Sequence, residues 1–340
     1  MRFGPQILPG PASRFPSVTT HVPPPKVRTP VQSSARLQAS RHLDKPFLGI
    51  LLVICSTGFL GSSDAMAKYL ARGGMAPVEI AWIRFSVFLL IMLPIVMIPS
   101  GGRMLRSSRP LLQVFRGLGL LCSSIFFIVG LSFLPIAEAT ATGFISPLFV
   151  TALSIIFLGE KVGLRRWTAT IVGLIGVLII VRPGTSAFHP AALFPIISAL
   201  GWASALVLTR KMSGADHPIT TMAYSAIVGF LVLSVFAPFY WSQPTWTQLG
   251  LGVAIGISST VGHWIVVLAF RYADASVLAP FSYIQLMWVT LLGFFVFGEI
   301  PDAWTFAGAA IIIASGVYTA HREHVRRAKI AVPADPYPTS

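Results

Sequence analysis

Between residues 46 and 320 the chain alternates long apolar stretches with short polar breaks. A helix needs about 20 mostly apolar residues to cross roughly 30 Å of hydrocarbon. Ten runs approach that length: Phe47–Leu70, Pro77–Pro99, Pro110–Phe133, Ala137–Leu158, Arg166–Val181, Pro190–Leu208, Pro218–Phe239, Thr247–Phe270, Ala275–Phe297 and Ala303–Ala320. Charge or Gly/Pro punctuation separates them, as at 72–77, 100–103, 182–185 and 213–218. The loops are short, so successive helices are antiparallel neighbours. The runs are continuously apolar and do not alternate in and out, which excludes a β-barrel. The pattern predicts an all-α polytopic membrane protein with ten transmembrane helices.

Composition narrows the function classes. Hydrophobic residues make up 54% of the 340 and charged residues 11%, where a soluble chain carries about a quarter charged. The mean hydropathy is +0.76. Cys55 and Cys122 both lie in apolar runs and form no disulfide framework. The net charge of +14 does not imply a nucleic-acid partner. Residues 1–45 hold seven bases against one acid and residues 321–340 four against two; the rest is scattered, with no basic stripe. Loop charges predict orientation. Arg103, Arg106, Arg109, Lys161, Arg165, Arg166, Arg210, Lys211 and Arg271 fall on one side, and only Lys68, Arg72 and Arg182 on the other. The basic tails share the majority side, so both termini are expected in the cytoplasm, in the inner membrane of a bacterium.

The chain also repeats itself. Phe149-Val-Thr-Ala-Leu-Ser-Ile-Ile-Phe-Leu-Gly-Glu160 matches Trp288-Val-Thr-Leu-Leu-Gly-Phe-Phe-Val-Phe-Gly-Glu299 in register. Pro77 and Pro218 each open a run, and Gly176-Val177 corresponds to Gly316-Val317. Five helices per copy is an odd number, so the second copy is inverted. The expected organisation is a disordered Pro-rich basic tail over 1–45, a first five-helix repeat over 46–183, an inverted second repeat over 184–320, and a C-terminal tail over 321–340. Inverted repeats are the usual architecture of secondary transporters, with the site near the midplane.

The same residues carry a resemblance. Asp64-Ala-Met-Ala-Lys-Tyr-Leu70, Trp82-Ile-Arg-Phe85, Phe115-Arg-Gly117, Leu134-Pro-Ile-Ala-Glu-Ala-Thr-Ala141, the Gly-Glu endings at 159–160 and 298–299, and Arg182-Pro-Gly184 resemble EamA-like members of the drug/metabolite transporter superfamily. The resemblance spans most of the chain. It implies two five-helix repeats and transport of amino acids, nucleoside-like compounds, S-adenosylmethionine, riboflavin or other small metabolites. The Asp-Ala-x-x-Lys and Phe-Arg-Gly stretches are most similar to the uptake branch.

Polar groups within the apolar runs mark candidate sites, because a charge at the bilayer centre costs at least about 2.5 kcal/mol. Asp64 has Ala205 as its repeat counterpart and Arg84 has Ser225, so the shared scaffold does not require either charge. Arg84 is a carboxylate contact or a salt-bridge partner of Asp64 or Glu79. Lys68, at i+4 from Asp64, is expected to pair with it or snorkel outward, and Arg116 to snorkel to lipid phosphate. Glu79 reads as a rim or cap residue, and Glu138 as a helix N-terminal carboxylate. Glu160 and Glu299 recur in both copies and read as scaffold or gate. His263 is the candidate for proton coupling. Tyr283 and Gln285 are expected to face the bundle interior, Trp202 is a site candidate or lipid-facing filler, and Pro147 and Pro280 are expected to interrupt the fourth and ninth helices around a central site.

No phosphate-cradling loop, metal-ligand spacing or nucleophile–base pair is legible, so no enzyme activity, cofactor or metal is expected. The leading reading is a secondary transporter of a small polar metabolite, embedded in the lipid bilayer, with protons as a candidate coupling ion. A non-transporting receptor or scaffold would want a larger external domain, and a lipid-modifying enzyme a paired acid and base. Monomer and homodimer both stand open.

Overall fold

The computed structural model describes residues 1, 4, 46–97, 106–159, 164–185, 189–212, 215–269, 272–273 and 275–331. The expected tail over 1–45 lies outside them except for residues 1 and 4, and so does Glu160. The chain separates into two units, Met1–His42 and Leu43–Ser340; the second holds every element below.

The described residues contain helices and no strand. They are α1 (Pro46–Arg72), α2 (Pro77–Met97), α3 (Pro110–Phe133), α4 (Ile136–Gly143), α5 (Ser146–Leu158), α6 (Leu164–Val181), α7 (Leu193–Lys211), α8 (Pro218–Tyr240), α9 (Trp246–Ala269), α10 (Ala275–Ser282), α11 (Ile284–Phe297) and α12 (Ala303–Ala331). Eight spans are long and apolar enough to cross a membrane, with shorter apolar helices over Thr170–Val181 and Ala303–Tyr318. Together they account for the ten runs. α12 continues as a helix past the end of its apolar part, into residues the sequence assigns to the tail.

Local chemistry sets the helix limits. α1, α2, α3 and α8 open on prolines, whose missing N–H costs nothing in a first turn. α5 and α11 end on Gly159 and Gly298, which adopt the left-handed conformation at φ 66° and 67°. That conformation suits glycine, which accounts for Gly in both copies of the repeat.

The fourth and ninth runs are each broken in two. α4 ends before Phe144 and α5 begins at Ser146, while α10 and α11 are separated by Tyr283. Phe144 and Tyr283 are equivalent in the repeat. The prolines fall on opposite sides of the breaks, Pro147 after the first and Pro280 before the second. The two aromatic rings meet edge to face, with centroids 4.9 Å apart, so both breaks converge on one point.

Helix packing has the same two-fold character. α3 packs on α7 as α9 packs on α1; α5 on α7 as α11 on α1; and α8 on α3 as α2 on α9. α2–α8 and α6–α12 are pairs of equivalents with each other. Glycines allow the close approaches. A Cβ on Gly117 would lie 2.9 Å from Val228, and one on the equivalent Gly256 would lie 2.5 Å from Val87. At the α6–α12 crossing, a Cβ on Gly176 would meet the Gly308 carbonyl at 2.8 Å. A Cβ on Gly308 would in turn lie 2.5 Å from the Gly176 carbonyl; backbone cannot yield as a flexible side chain does, so Gly176 and Gly308 exclude larger residues.

α1 ends, α2 begins and α11 ends on one face of the bundle, called here the Lys68 face. α3 and α8 begin on the opposite, Arg116 face. There Asp216 ties two loops together. It accepts hydrogen bonds from the Ser107 hydroxyl (2.5 Å), the Ser108 amide (2.8 Å) and hydroxyl (3.0 Å), and Gln113 Nε2 (2.8 Å). Burial pushes the Asp216 carboxyl up, but these hydrogen bonds outweigh it and hold it at about 2, below its ordinary 3.8. Stability from such a group is complete above the unfolded value and disappears as pH falls through the folded one. Asp216→Asn is therefore expected to lower the melting temperature at neutral pH, with the deficit shrinking below about pH 4 toward pH 2. Thermal unfolding of both proteins across that range checks this; a deficit independent of pH would refute it.

Candidate substrate site at the centre of the bundle

Four helices from both halves bring charged or polar groups to the centre. Asp64 on α1 and Arg84 on α2 lie deep in the protein and within each other's electrostatic reach. They are not joined in a direct ion pair. Gln285 on α11 donates from Nε2 to Asp64 Oδ2 at 3.2 Å. His263 on α9 lies within the field of Arg84 and of Arg116. Its Nδ1 is 2.7 Å from the Ser259 carbonyl oxygen. A carbonyl only accepts, so Nδ1 carries a hydrogen and Nε2 is left as the second ring nitrogen. Trp202 on α7 sets its ring 6.0 Å from His263. All five residues are half-buried and retain accessible surface.

Five of the six residues singled out from sequence thus form one connected set. Tyr283 stands apart from it: its ring is against Phe144, and its hydroxyl occupies the space a side chain at Gly316 would need. It belongs to the contact between the two helix breaks. Trp288, one turn from Gln285, packs against Gly58 and Gly61 of α1. Its Nε1–H is buried without an acceptor among the described residues, a donor that sequence shows only as an aromatic.

Three charged residues sit elsewhere than expected. Lys68 neither pairs with Asp64 nor snorkels. It is 0% exposed, bonded to Glu299 (2.7 and 3.0 Å) and donating to the Leu134 carbonyl (2.5 Å). Its partner is far away in sequence, at the end of α11, and competes successfully with Asp64 one turn away on the same helix. Glu299 also accepts from Arg72 (2.5 Å) and from the Ile136 amide (3.0 Å), so α1, α4 and α11 are tied together on the Lys68 face. Arg116 does not reach lipid phosphate. Its Nε donates to Thr209 Oγ1 (2.7 Å), and its Nη1 to the Thr221 carbonyl (3.2 Å) and the Ser225 hydroxyl. Glu79 lies in the first turn of α2, where a cap residue is expected, but it is buried at 0% exposure and accepts from Ser242 at 2.7 Å, so it is no rim residue. Glu138 lies in the first turn of α4, as expected.

A crevice of about 500 Å³ between α2 and α8 is lined by Trp82, Ser234, Ala237, Pro238 and Trp241. Among the described residues no charged group lines it, and neither Asp64 nor Arg84 is part of its lining. Among the described residues no group of three His, Cys, Asp or Glu is placed to hold a metal.

Comparison with known proteins assigns this architecture. The model of the EamA-like transporter family matches residues 47–182 and again 189–319, one match per half of the bundle. The chain belongs to the EamA-like transporter family. It is 32% identical to the S-adenosylmethionine uptake transporter of Rickettsia bellii, over 81% of this chain and 94% of that protein. It is 30% identical to the riboflavin transporter of Vibrio cholerae (79% and 92% covered) and 28% identical to the pseudopaline exporter CntI of Pseudomonas aeruginosa (78% and 93%). As an EamA-like protein of the drug/metabolite transporter superfamily, it is a multi-pass bacterial membrane transporter of small metabolites and not an enzyme.

Proposed function

We propose that this EamA-like protein takes up a zwitterionic metabolite with an aromatic body, of the S-adenosylmethionine kind, by alternating access across the cytoplasmic membrane. The observation that carries the reading is the pair Asp64 and Arg84. Opposite charges lie within each other's electrostatic reach, deep in the protein, without a direct ion pair. An uncompensated charge at that depth is expensive, and a ligand bearing an ammonium or sulfonium group and a carboxylate satisfies both. Arg84 offers a planar fork suited to the carboxylate. Trp202 and His263 supply aromatic surface for a nucleobase, and Trp288 and Gln285 supply hydrogen-bond donors. The name of the Rickettsia relative supports this substrate class. Riboflavin, neutral and without a carboxylate, leaves both charges unanswered.

In this reading the Lys68 face is outside and both termini are cytoplasmic, as the loop charges favour. Protons are the coupling ion, with His263 as carrier: its Nδ1 is held by Ser259, and its Nε2 has no hydrogen-bond partner among the described residues. Packing that is two-fold symmetric makes the two access states similar in energy, because each half can adopt what the other relinquishes.

Counterflow in proteoliposomes tests the reading, with S-adenosylmethionine, amino acids, nucleosides and riboflavin, with and without a pH gradient. Saturable exchange of S-adenosylmethionine is expected, with accumulation driven by the pH gradient and lost in His263→Ala. Exchange of riboflavin alone would overturn the charged-site reading, and no exchange from folded protein would overturn transport of this substrate class. Accumulation indifferent to the pH gradient would remove the proton and His263 from the mechanism.

A further inference from the structure

Arg116 has an environment that a structural arginine does not need. Its three hydrogen bonds all go to uncharged oxygens, those of Thr209, Thr221 and Ser225. The hydroxyl donors are already used, Thr209 on the Ala205 carbonyl (2.7 Å) and Ser225 on the Thr221 carbonyl (2.9 Å). No carboxylate is within ion-pair distance of the guanidinium among the described residues. The Nη2 donors have no acceptor among those residues, and the side chain is only half-buried. A guanidinium has five N–H donors, so an edge of the fork is open.

The repeat gives the position its meaning. With the register that pairs Pro77 with Pro218, Lys68 corresponds to Thr209 and Arg84 to Ser225. These are the two hydroxyls that hold Arg116. The second repeat lacks both cations of the first, and one arginine from α3 fills their place. Arg84 is seven residues into α2 from the Lys68 face, and Arg116 six residues into α3 from the opposite face. Each is therefore about 10 Å deep from its own end. One guanidinium stands in each half of the path.

We propose that Arg116 is a second carboxylate-binding residue, the counterpart of Arg84 on the far half of the path, which receives the substrate carboxylate when the bundle opens toward the Arg116 face. The inference rests on the transport reading above and extends it. Thr209 and Ser225 act as positioning residues that aim the fork without neutralising it. His263 lies within the electrostatic reach of both arginines.

The test measures half-saturation separately at each face, in right-side-out and inside-out vesicles. The probes are S-adenosylmethionine and its carboxylate methyl ester, with direct binding by thermal shift as a second readout. Arg116→Gln is expected to raise the half-saturation for S-adenosylmethionine at least tenfold at the Arg116 face and under threefold at the Lys68 face. Arg116→Lys recovers part of the loss. For the methyl ester, Arg116→Gln and the unaltered protein are expected to agree within threefold at both faces. An equal rise at both faces, or a loss that persists for the ester, shows that Arg116 is structural and overturns the inference. If the unaltered protein exchanges S-adenosylmethionine and Arg116→Gln matches it at both faces, this inference fails and the transport reading stands. If the unaltered protein neither binds nor exchanges any carboxylate in the panel, the transport reading fails and this inference with it.

Discussion

Arg84→Gln is expected to reduce Vmax/KM for a carboxylate-bearing substrate by at least about a hundredfold while the protein remains folded. A hydrogen bond between charged partners contributes about 1.5–3 kcal/mol, and each 1.4 kcal/mol is about tenfold, so losing a bidentate contact places the effect near two decades. Arg84→Lys restores the charge but not the fork and should recover only part. Asp64→Asn should be similarly damaging for a cationic substrate, although its side chain can still hydrogen-bond with Gln285. The Asp64→Asn/Arg84→Gln double variant separates two roles. If the pair served only to neutralise itself, removing both charges would restore transport. If each charge reads one end of the substrate, the double variant is as inactive as the worse single. Initial rates of exchange in proteoliposomes, normalised to folded protein by melting temperature, decide between them. Restored exchange in the double variant would make Asp64 and Arg84 a structural pair.

The fold was legible because its determinants are local and repeated. Ten apolar runs, four of them opened by proline, show the spans, and the shared Gly-Glu ending locates equivalent helix ends at Gly159 and Gly298, both left-handed. Where the breaks in the fourth and ninth spans fall was less legible. Pro147 and Pro280 mark the right spans, but the prolines are not equivalent in the repeat; the break residues Phe144 and Tyr283 are. Their contact is a tertiary one, between two halves of the chain, and no local propensity records it.

The site was partly legible for a related reason. Comparing the two copies shows which charges the scaffold can do without, and this selects Asp64 and Arg84. Orientation and long-range pairing are different matters. Lys68, at i+4 from Asp64, has a plausible local partner, yet it is buried against Glu299, 231 residues away. Arg116 is near enough to a helix end to reach lipid, yet it turns across the bundle to Thr209 and Ser225. Tyr283 packs on the core, as expected of an interior residue, but its helix break turns it toward Phe144 and Gly316 and not toward Asp64. Helical periodicity gives the face of each residue only relative to its own helix. Which neighbour that face meets depends on how ten helices are arranged.

Lys68 and Glu299 make the second large expectation. Removing one partner of a buried ion pair leaves an uncompensated charge and costs about 3–5 kcal/mol. Glu299→Gln strands the fully buried Lys68 ammonium with neutral acceptors only, the Leu134 carbonyl and the amide oxygen that replaces the carboxylate, and should lower both yield and melting temperature sharply. Lys68→Met should be milder, because Arg72 still pairs with Glu299. The Lys68→Met/Glu299→Gln double variant removes both charges and should regain most of the lost stability. Transport should not return with it. The pair joins the end of α1 to the end of α11 and the start of α4, and each of α1 and α11 carries one side of the Asp64–Gln285 contact. On the opposite face the equivalent of Lys68 is Thr209, a neutral residue, so the Lys68 cation has no counterpart at that position. Without it the Lys68 face should open more readily, raising exchange entered from that side and lowering accumulation against a gradient. Melting temperature together with the ratio of exchange to net accumulation checks the expectation. A double variant that recovers accumulation along with stability would make the pair a staple and not a gate.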